Sequence, residues 1–70
     1  MQKNNVKKFR EKIGLSQTEL ARRTGIANSN LSAIERGHRD AWPLARQRIA
    51  EVLGVDEVYL FPEKRTQGDK

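Results

Sequence analysis

The sequence predicts an all-α fold, a compact bundle of four to five short helices. Glycines at positions 14, 25, 37 and 54 divide the chain, and apolar residues recur between them at helical spacing. No segment alternates apolar and polar residues as a half-buried strand would. The 70 residues allow one domain, and the absence of cysteine excludes disulfides and thiolate zinc sites. We therefore expect packing alone to hold a single helical domain over residues 1–62.

The first two helices have clear boundaries in the sequence. Val6, Phe9 and Ile13 form one apolar stripe, which predicts an inward face on a helix over residues 3–13. Arg10 lies on the same stripe, so we expect its side chain to be at least partly shielded from water. Ser16 and the glutamate three residues later form a capping-box pattern, which predicts a second helix over residues 17–24.

The remaining helices follow the same logic. The third is predicted over residues 28–36, with Leu31 and Ile34 facing inward. Pro43 suits the first turn of a fourth helix, which ends at Gly54. A short fifth helix follows, capped by Asp56 and ended by Pro62. Residues 63–70 lack apolar groups and are predicted to be a disordered tail.

The charge distribution favours a polyanionic partner. The chain has 14 Lys+Arg against 9 Asp+Glu, a net charge of +5 and a pI near 10.1. Residues 1–54 carry a net +6, whereas residues 55–70 carry a net −1. A basic balance of this kind suggests nucleic acid first and a membrane surface second. No apolar run of about 18 residues and no secretory signal is present, so no membrane association is expected and the cytoplasm is the default location.

Helices two and three, joined by a tight turn, have the layout of a helix-turn-helix. Ala21 is small enough for the close approach of the two helices, and Gly25 supplies a backbone angle that other residues resist. The core-facing apolar residues leave the opposite side of helix three free. That side carries short polar or cationic groups suited to the floor of the major groove: Asn28, Ser29, Ser32, Ala33 and Arg36.

Five stretches carry a family resemblance. Gly-Leu-Ser-Gln-Thr-Glu-Leu-Ala at 14–21, Gly-Ile at 25–26 and Ile-Glu-Arg-Gly at 34–37 resemble the phage-repressor and Cro-like helix-turn-helix family. Ile-Ala-Glu-Val-Leu-Gly-Val at 49–55 and Leu-Phe at 60–61 resemble its fourth and fifth helices. The resemblance implies a lambda-repressor-like fold and sequence-specific binding of double-stranded DNA. It further implies transcriptional regulation, with repression expected, by a homodimer on the DNA.

The resemblance also implies roles for individual residues. Gln17, at the start of helix two, corresponds to a phosphate contact, and Arg10 and Glu35 resemble a buried ion pair between helices one and three. Base contacts are expected from four residues of the free face: Asn28, Ser29, Ser32 and Ala33. Arg36 and Arg39 lie at the exit of helix three, where a flanking phosphate would pass, and are expected to contact it.

One position departs from the family pattern. Ala27 stands where a serine or threonine often caps the recognition helix. Either the helix begins without a side-chain cap, which costs about 1 kcal/mol, or its start moves to Asn28. In the second case the Asn28 side chain is partly occupied and less able to read a base.

The sequence gives no sign of catalysis. One histidine, no cysteine and no paired carboxylates on an apolar stripe leave no nucleophile–base set and no metal cluster. We expect neither an enzyme nor a cofactor nor a small-molecule ligand. Trp42, beside Pro43, is expected to pack and pin the loop over residues 38–42.

The main alternative is a protein–protein module on the same fold, such as an antitoxin or a transcription adapter. It would need an exposed apolar surface, which four consecutive residues of the fifth helix could supply: Val58, Tyr59, Leu60 and Phe61. The same four residues are the expected pairing surface of a homodimer on DNA. RNA binding ranks third, because the aromatic stacking platforms typical of it are missing.

Overall fold

The computed structural model describes residues 4–62, which fold into five short helices and no strand. In chain order these are α1 (Val6–Lys12), α2 (Gln17–Thr24), α3 (Asn28–Glu35), α4 (Pro43–Leu53) and α5 (Glu57–Leu60). The predicted all-α class is confirmed. The first helix was expected to begin at about residue 3, but it begins at Val6, because Asn4 and Asn5 form a bend ahead of it. The expected tail over residues 63–70 lies outside the described residues. Within residues 4–62 no helix has the length and apolarity needed to cross a membrane.

One face of each helix contributes to a single core. Residues that are almost fully removed from water come from every helix and from the two loops that flank α3. They are Val6, Leu20, Ala21, Ile26, Leu31, Ile34, Ala41, Ala45, Ile49, Ala50, Leu53, Leu60 and Phe61. Phe9, Leu15, Val52 and Val55 are partly buried and pack against this cluster. α2 lies against both α3 and α4, which fixes the helix-turn-helix on the rest of the bundle.

The end of α1 differs from the prediction. Ile13 was expected to face inward, but it is 54% exposed, so that expectation is wrong. The helix ends at Lys12, and Gly14, at φ +74°, turns the chain before the stripe reaches its next inward position. The Leu15 N–H donates to the Arg10 carbonyl at 3.0 Å, and Leu15 takes the place at the core that Ile13 was expected to fill.

Gly25 ends α2 as predicted and leaves room for a neighbouring side chain. It has φ +76°, and its N–H donates to the Ala21 carbonyl at 2.9 Å. A Cβ at this position would lie 3.3 Å from Nη1 of Arg48, which itself donates to the Thr24 carbonyl. A left-handed backbone and close contact with a guanidinium both favour glycine here.

Two asparagines ahead of α1 tie the start of the described chain to distant helices. The buried Asn4 donates from Nδ2 to the Ile34 carbonyl at 2.8 Å, and its Oδ1 accepts from the Val6 N–H. Asn5 donates from its backbone N–H to the Leu60 carbonyl at 2.8 Å and from Nδ2 to the Tyr59 carbonyl at 2.9 Å. The N-terminal segment thus joins the C-terminal ends of α3 and α5.

Candidate nucleic-acid interface

α3 presents the face that the sequence predicted. Its apolar residues are buried, whereas Asn28 and Ser29 are exposed and Ser32 and Ala33 are half-buried. Arg36 is exposed directly after the last helical turn. The N-terminal half of α3 is therefore the more accessible part of this face.

The first of the two alternatives for the start of α3 holds. Ala27 is the N-cap residue and offers no side-chain hydrogen bond, so the helix begins uncapped. Asn28 is the first helical residue, and its Nδ2 lies 3.4 Å from Oγ1 of Thr18 on α2. The Asn28 side chain is therefore not consumed by capping, but it contacts the start of α2, a link that the sequence did not predict.

Arg10 and Glu35 form a bidentate ion pair between α1 and α3. Arg10 Nε lies 2.7 Å from Glu35 Oε2, and Nη2 lies 3.1 Å from Oε1. The two side chains are only 9% and 3% exposed. Arg10 Nη1 also donates to the Leu15 carbonyl at 2.8 Å. The hydrogen bond from Glu35 raises the pKa of Arg10 above its usual range, so the guanidinium remains charged.

Gln17 is linked to this ion pair. Its Nε2 donates to Glu35 Oε1 at 3.1 Å, and its side chain is half-buried at the start of α2. A carboxamide nitrogen has two N–H donors, so the bond to Glu35 occupies one of them. The carboxylate of Glu35 therefore joins α1, α2 and α3 directly below the predicted phosphate-binding position.

Only one of the two hydrogen bonds of the capping box forms at the start of α2. Ser16 Oγ accepts from the Glu19 N–H at 3.0 Å, as predicted. The Glu19 carboxylate does not return to Ser16 but pairs with Arg22 and with Arg23, whose Nε lies 2.9 Å away. The hydrogen bonds from Arg23 and Arg22 lower the pKa of Glu19. Two guanidiniums one turn away outcompete a single backbone N–H for this carboxylate.

At the exit of α3, Arg39 folds back along the helix. Its Nη1 donates to Asn30 Oδ1 at 3.3 Å, and its guanidinium carbon lies 5.9 Å from the centre of the Trp42 ring. Trp42 is 38% exposed, so the expectation of an ordinary packing role is only half right. The ring lies at the surface, beside the cation of Arg39, and is not part of the buried core.

The fifth helix splits the apolar surface that was expected there. Leu60 and Phe61 are buried, whereas Val58 and Tyr59 are exposed, Tyr59 at 61%. The expectation of four apolar residues on one surface is therefore corrected to two, because the other two complete the core. Acidic side chains surround this end of the bundle, namely Glu51, Asp56 and Glu57.

The described chain has no arrangement typical of a metal centre. Among residues 4–62 no three His, Asp or Glu side chains lie close enough to bind a metal ion together. Over the same residues every buried side-chain nitrogen or oxygen has a hydrogen-bond partner. The polar groups at the junction of α1, α2 and α3 are thus satisfied internally.

Comparisons with known proteins agree with this geometry. The model of a helix-turn-helix family matches residues 6–60. An uncharacterized HTH-type transcriptional regulator of Methanothermobacter thermautotrophicus is 30% identical over 61 residues, 83% of this chain and 88% of that protein. Another, y4dJ of Sinorhizobium fredii, is 35% identical over 57 residues, 81% of this chain and 74% of that one.

A solved structure is also similar. The restriction-modification controller protein C.AhdI from Aeromonas hydrophila superposes with a TM-score of 0.76 at 30% sequence identity. The match covers 81% of this chain and 86% of that one. Sequence and three-dimensional similarity therefore each extend over most of the chain.

Proposed function

Because the chain belongs to the phage-repressor and Cro-like helix-turn-helix family and is a DNA-binding transcriptional regulator, we propose that α3 reads the major groove of double-stranded DNA. One observation carries the proposal. The buried apolar side of α3 fixes it on the bundle, while short side chains cover the accessible side. A helix with such a face fits a groove about 12 Å wide and brings its N-terminal residues near the base edges.

In this proposal base preference comes from Asn28, Ser29, Ser32 and Ala33. The first two are exposed at the N-terminal end of α3, and the methyl group of Ala33 suits contact with a thymine methyl. The amide of Asn28 suits the two hydrogen-bonding groups of adenine in the major groove. Each good bidentate contact is worth about 1–3 kcal/mol of discrimination.

Affinity, by contrast, comes from phosphate contacts by Gln17, Arg36 and Arg39. Arg36 and Arg39 are exposed at the exit of α3, and Gln17 lies at the start of α2, where helix N–H groups favour an anion. The acidic end of the bundle near α5 repels phosphate, which favours the same orientation. Each phosphate neutralised should contribute about −0.9 to the slope of log affinity against log salt.

We propose that the regulator binds as a homodimer and represses. One recognition helix reads only a few base pairs, too few to single out a site among roughly 10⁶ or more competitors. Two copies related by a two-fold axis would place their recognition helices about 34–36 Å apart, on successive turns of the duplex. Val58 and Tyr59 offer an apolar pairing patch that is small for a stable interface, so pairing is expected to depend on DNA. A cytoplasmic location suits this partner.

The test is selection of duplexes from a random pool, followed by sedimentation with the selected site. The expected result is a palindromic site bound by two protein copies, with an affinity that falls steeply with salt. Ser29→Ala and Asn28→Ala should relax base preference, whereas Arg39→Ala should weaken all sequences equally and lower the salt slope by about one. A matched control is Glu51→Gln, a charge change at the acidic end that should leave site preference unchanged.

Two outcomes would contradict parts of the proposal. One protein copy per duplex at saturation would refute the homodimer. A stable protein complex formed by the Val58–Tyr59 patch, with no duplex enriched above background, would favour the antitoxin or adapter alternative.

A further inference from the structure

We propose that Trp42 is a positioning residue for DNA binding, which holds the Arg39 guanidinium ready for a backbone phosphate. The inference deepens the proposed function and rests on its assignment of Arg39 as a phosphate contact. Trp42 lies outside α3, and we assign it no direct contact with a base or a phosphate. Its contribution is to hold the guanidinium of Arg39 in position.

Two groups hold Arg39 from different directions. The guanidinium carbon lies 5.9 Å from the centre of the Trp42 ring, within the range of a cation–π contact, and tryptophan is the ring that binds cations best. Asn30 Oδ1 accepts from Nη1 at 3.3 Å, which fixes the rotation of the guanidinium plane. Asn30 belongs to α3, so this hydrogen bond fixes the position of the guanidinium relative to the recognition helix.

Holding the cation has a consequence for affinity. A free arginine side chain on a surface samples many rotamers, and binding a phosphate requires it to give most of them up. A guanidinium that already contacts a ring and a hydrogen-bond acceptor loses fewer. Arginine also has five N–H donors, so donors remain for a phosphate while one of them is bound to Asn30.

Arg36 provides an internal comparison. It is exposed at the same exit of α3, but it makes no side-chain hydrogen bond or ion pair within residues 4–62. Arg36 and Arg39 are thus neighbouring cations of which only one is held in place. Replacement of Trp42 should affect the contribution of Arg39 and leave that of Arg36 intact.

The main experiment is a double-mutant cycle on the full chain with the selected duplex. Trp42→Leu should weaken binding of all sequences about two- to fivefold, the range expected from loss of one exposed cation–π contact. In the Arg39→Ala background it should have no further effect, whereas in the Arg36→Ala background it should keep its full effect. Trp42→Phe, which retains a ring, should restore part of the affinity.

A second measurement needs no DNA. Trp42 is the single tryptophan of the chain, so the tryptophan emission of the protein comes from this ring. Arg39→Gln should shift the emission and increase quenching by acrylamide, whereas Arg36→Gln should leave both unchanged. If Trp42→Leu fails to fold, Asn30→Ala replaces it in the cycle, because it removes the other support of Arg39 from a half-buried position.

The possible failures are distinguishable. Additive effects of Trp42→Leu and Arg39→Ala, or an emission that ignores Arg39→Gln, would overturn the positioning role while leaving DNA binding by α3 in place. Absence of duplex binding by the unmodified chain would overturn both the proposed function and this inference.

Discussion

The two helices of the helix-turn-helix differ in their local bonds. α2 has bonds to its own neighbours in sequence, in addition to the ties that it shares with α3: Ser16 caps it, and Glu19 pairs with Arg22 and Arg23 on the exposed surface. α3 has no cap, and its polar ties reach residues far away in the chain. These ties are Glu35 to Arg10 and Gln17, the Ile34 carbonyl to Asn4, and Asn28 to Thr18.

The difference indicates which contacts stabilise α3, the proposed recognition helix. An eight-residue helix is marginal alone, so most of its stability comes from tertiary packing. Exposed ion pairs such as those of Glu19 contribute little, because water and salt screen them. The buried pair of Glu35 fixes geometry more than it adds net stability, since desolvation offsets its attraction. α3 is thus held in register by the rest of the protein.

The largest effect is expected from breaking the buried pair. Arg10→Met and Glu35→Leu, each alone, should destabilise the fold by about 3–5 kcal/mol, because each leaves a buried charge without its partner. The double replacement should be much milder, since no uncompensated charge remains. Urea or thermal melts measure this, and single variants that unfold like the unmodified chain would contradict it.

A smaller effect is expected from the other long-range tie. Asn4→Ala should cost about 1–3 kcal/mol, because it leaves the buried Ile34 carbonyl without its donor and the Val6 N–H without its acceptor. Asn5→Ala is the matched control at the half-buried neighbour and should cost less. Equal losses for the two variants would show that burial does not govern this end of α3.

The N-terminal caps of α2 and α3 provide a test of how much local hydrogen bonds stabilise each helix. Ala27→Ser should stabilise the fold by about 1 kcal/mol, since Ala27 already has an extended backbone in which a hydroxyl can accept from the first turn. Ser16→Ala should destabilise it by a similar amount by removing the cap of α2. Failure of Ala27→Ser to raise the melting temperature would mean that the long-range ties already saturate the stability of α3.

The smallest effect is expected at Glu19. Its pKa is lowered by Arg23 and Arg22, so its stabilising contribution is present above the ordinary value of 4.5 and is lost as pH falls through the lowered folded value. Glu19→Gln should therefore lower the melting temperature slightly at neutral pH and not at all in strong acid. The pKa of Arg10 is raised, so the contribution of its guanidinium has the opposite sign: it is present at neutral pH and is lost only as pH rises through the raised folded value. Thermal melts at several pH values distinguish the contribution of Glu19 from that of Arg10.

The local half of the architecture could be predicted from the sequence. Glycine positions, the Ser16 cap and apolar spacing are short-range signals, and they place α2, α3 and α4 within about a residue. The stripe failed at Ile13 because it assumes that the helix continues, whereas Gly14 had already ended it.

The long-range contacts could not be predicted from the sequence, for a physical reason. The contacts of Gln17 with Glu35 and of Asn28 with Thr18 depend on how separate helices meet, and no spacing along the chain encodes that. Asn4 is different, because its bond to the Val6 N–H spans only two residues and is local in sequence. Its second bond, to Ile34, could be found only in three dimensions.

The bonds between Asn5 and α5 also set an order of events during synthesis. The Asn5 N–H needs the carbonyl of Leu60, so almost the whole described chain must be made before this bond can form. A ribosome releases the N-terminal segment first, yet that segment remains without its final partner until α5 emerges. Closing so long a loop is slow compared with forming a helix. A nascent chain that has completed α3 therefore still lacks many of the tertiary contacts that stabilise this helix, and the bond between Asn5 and Leu60 is among the last to form.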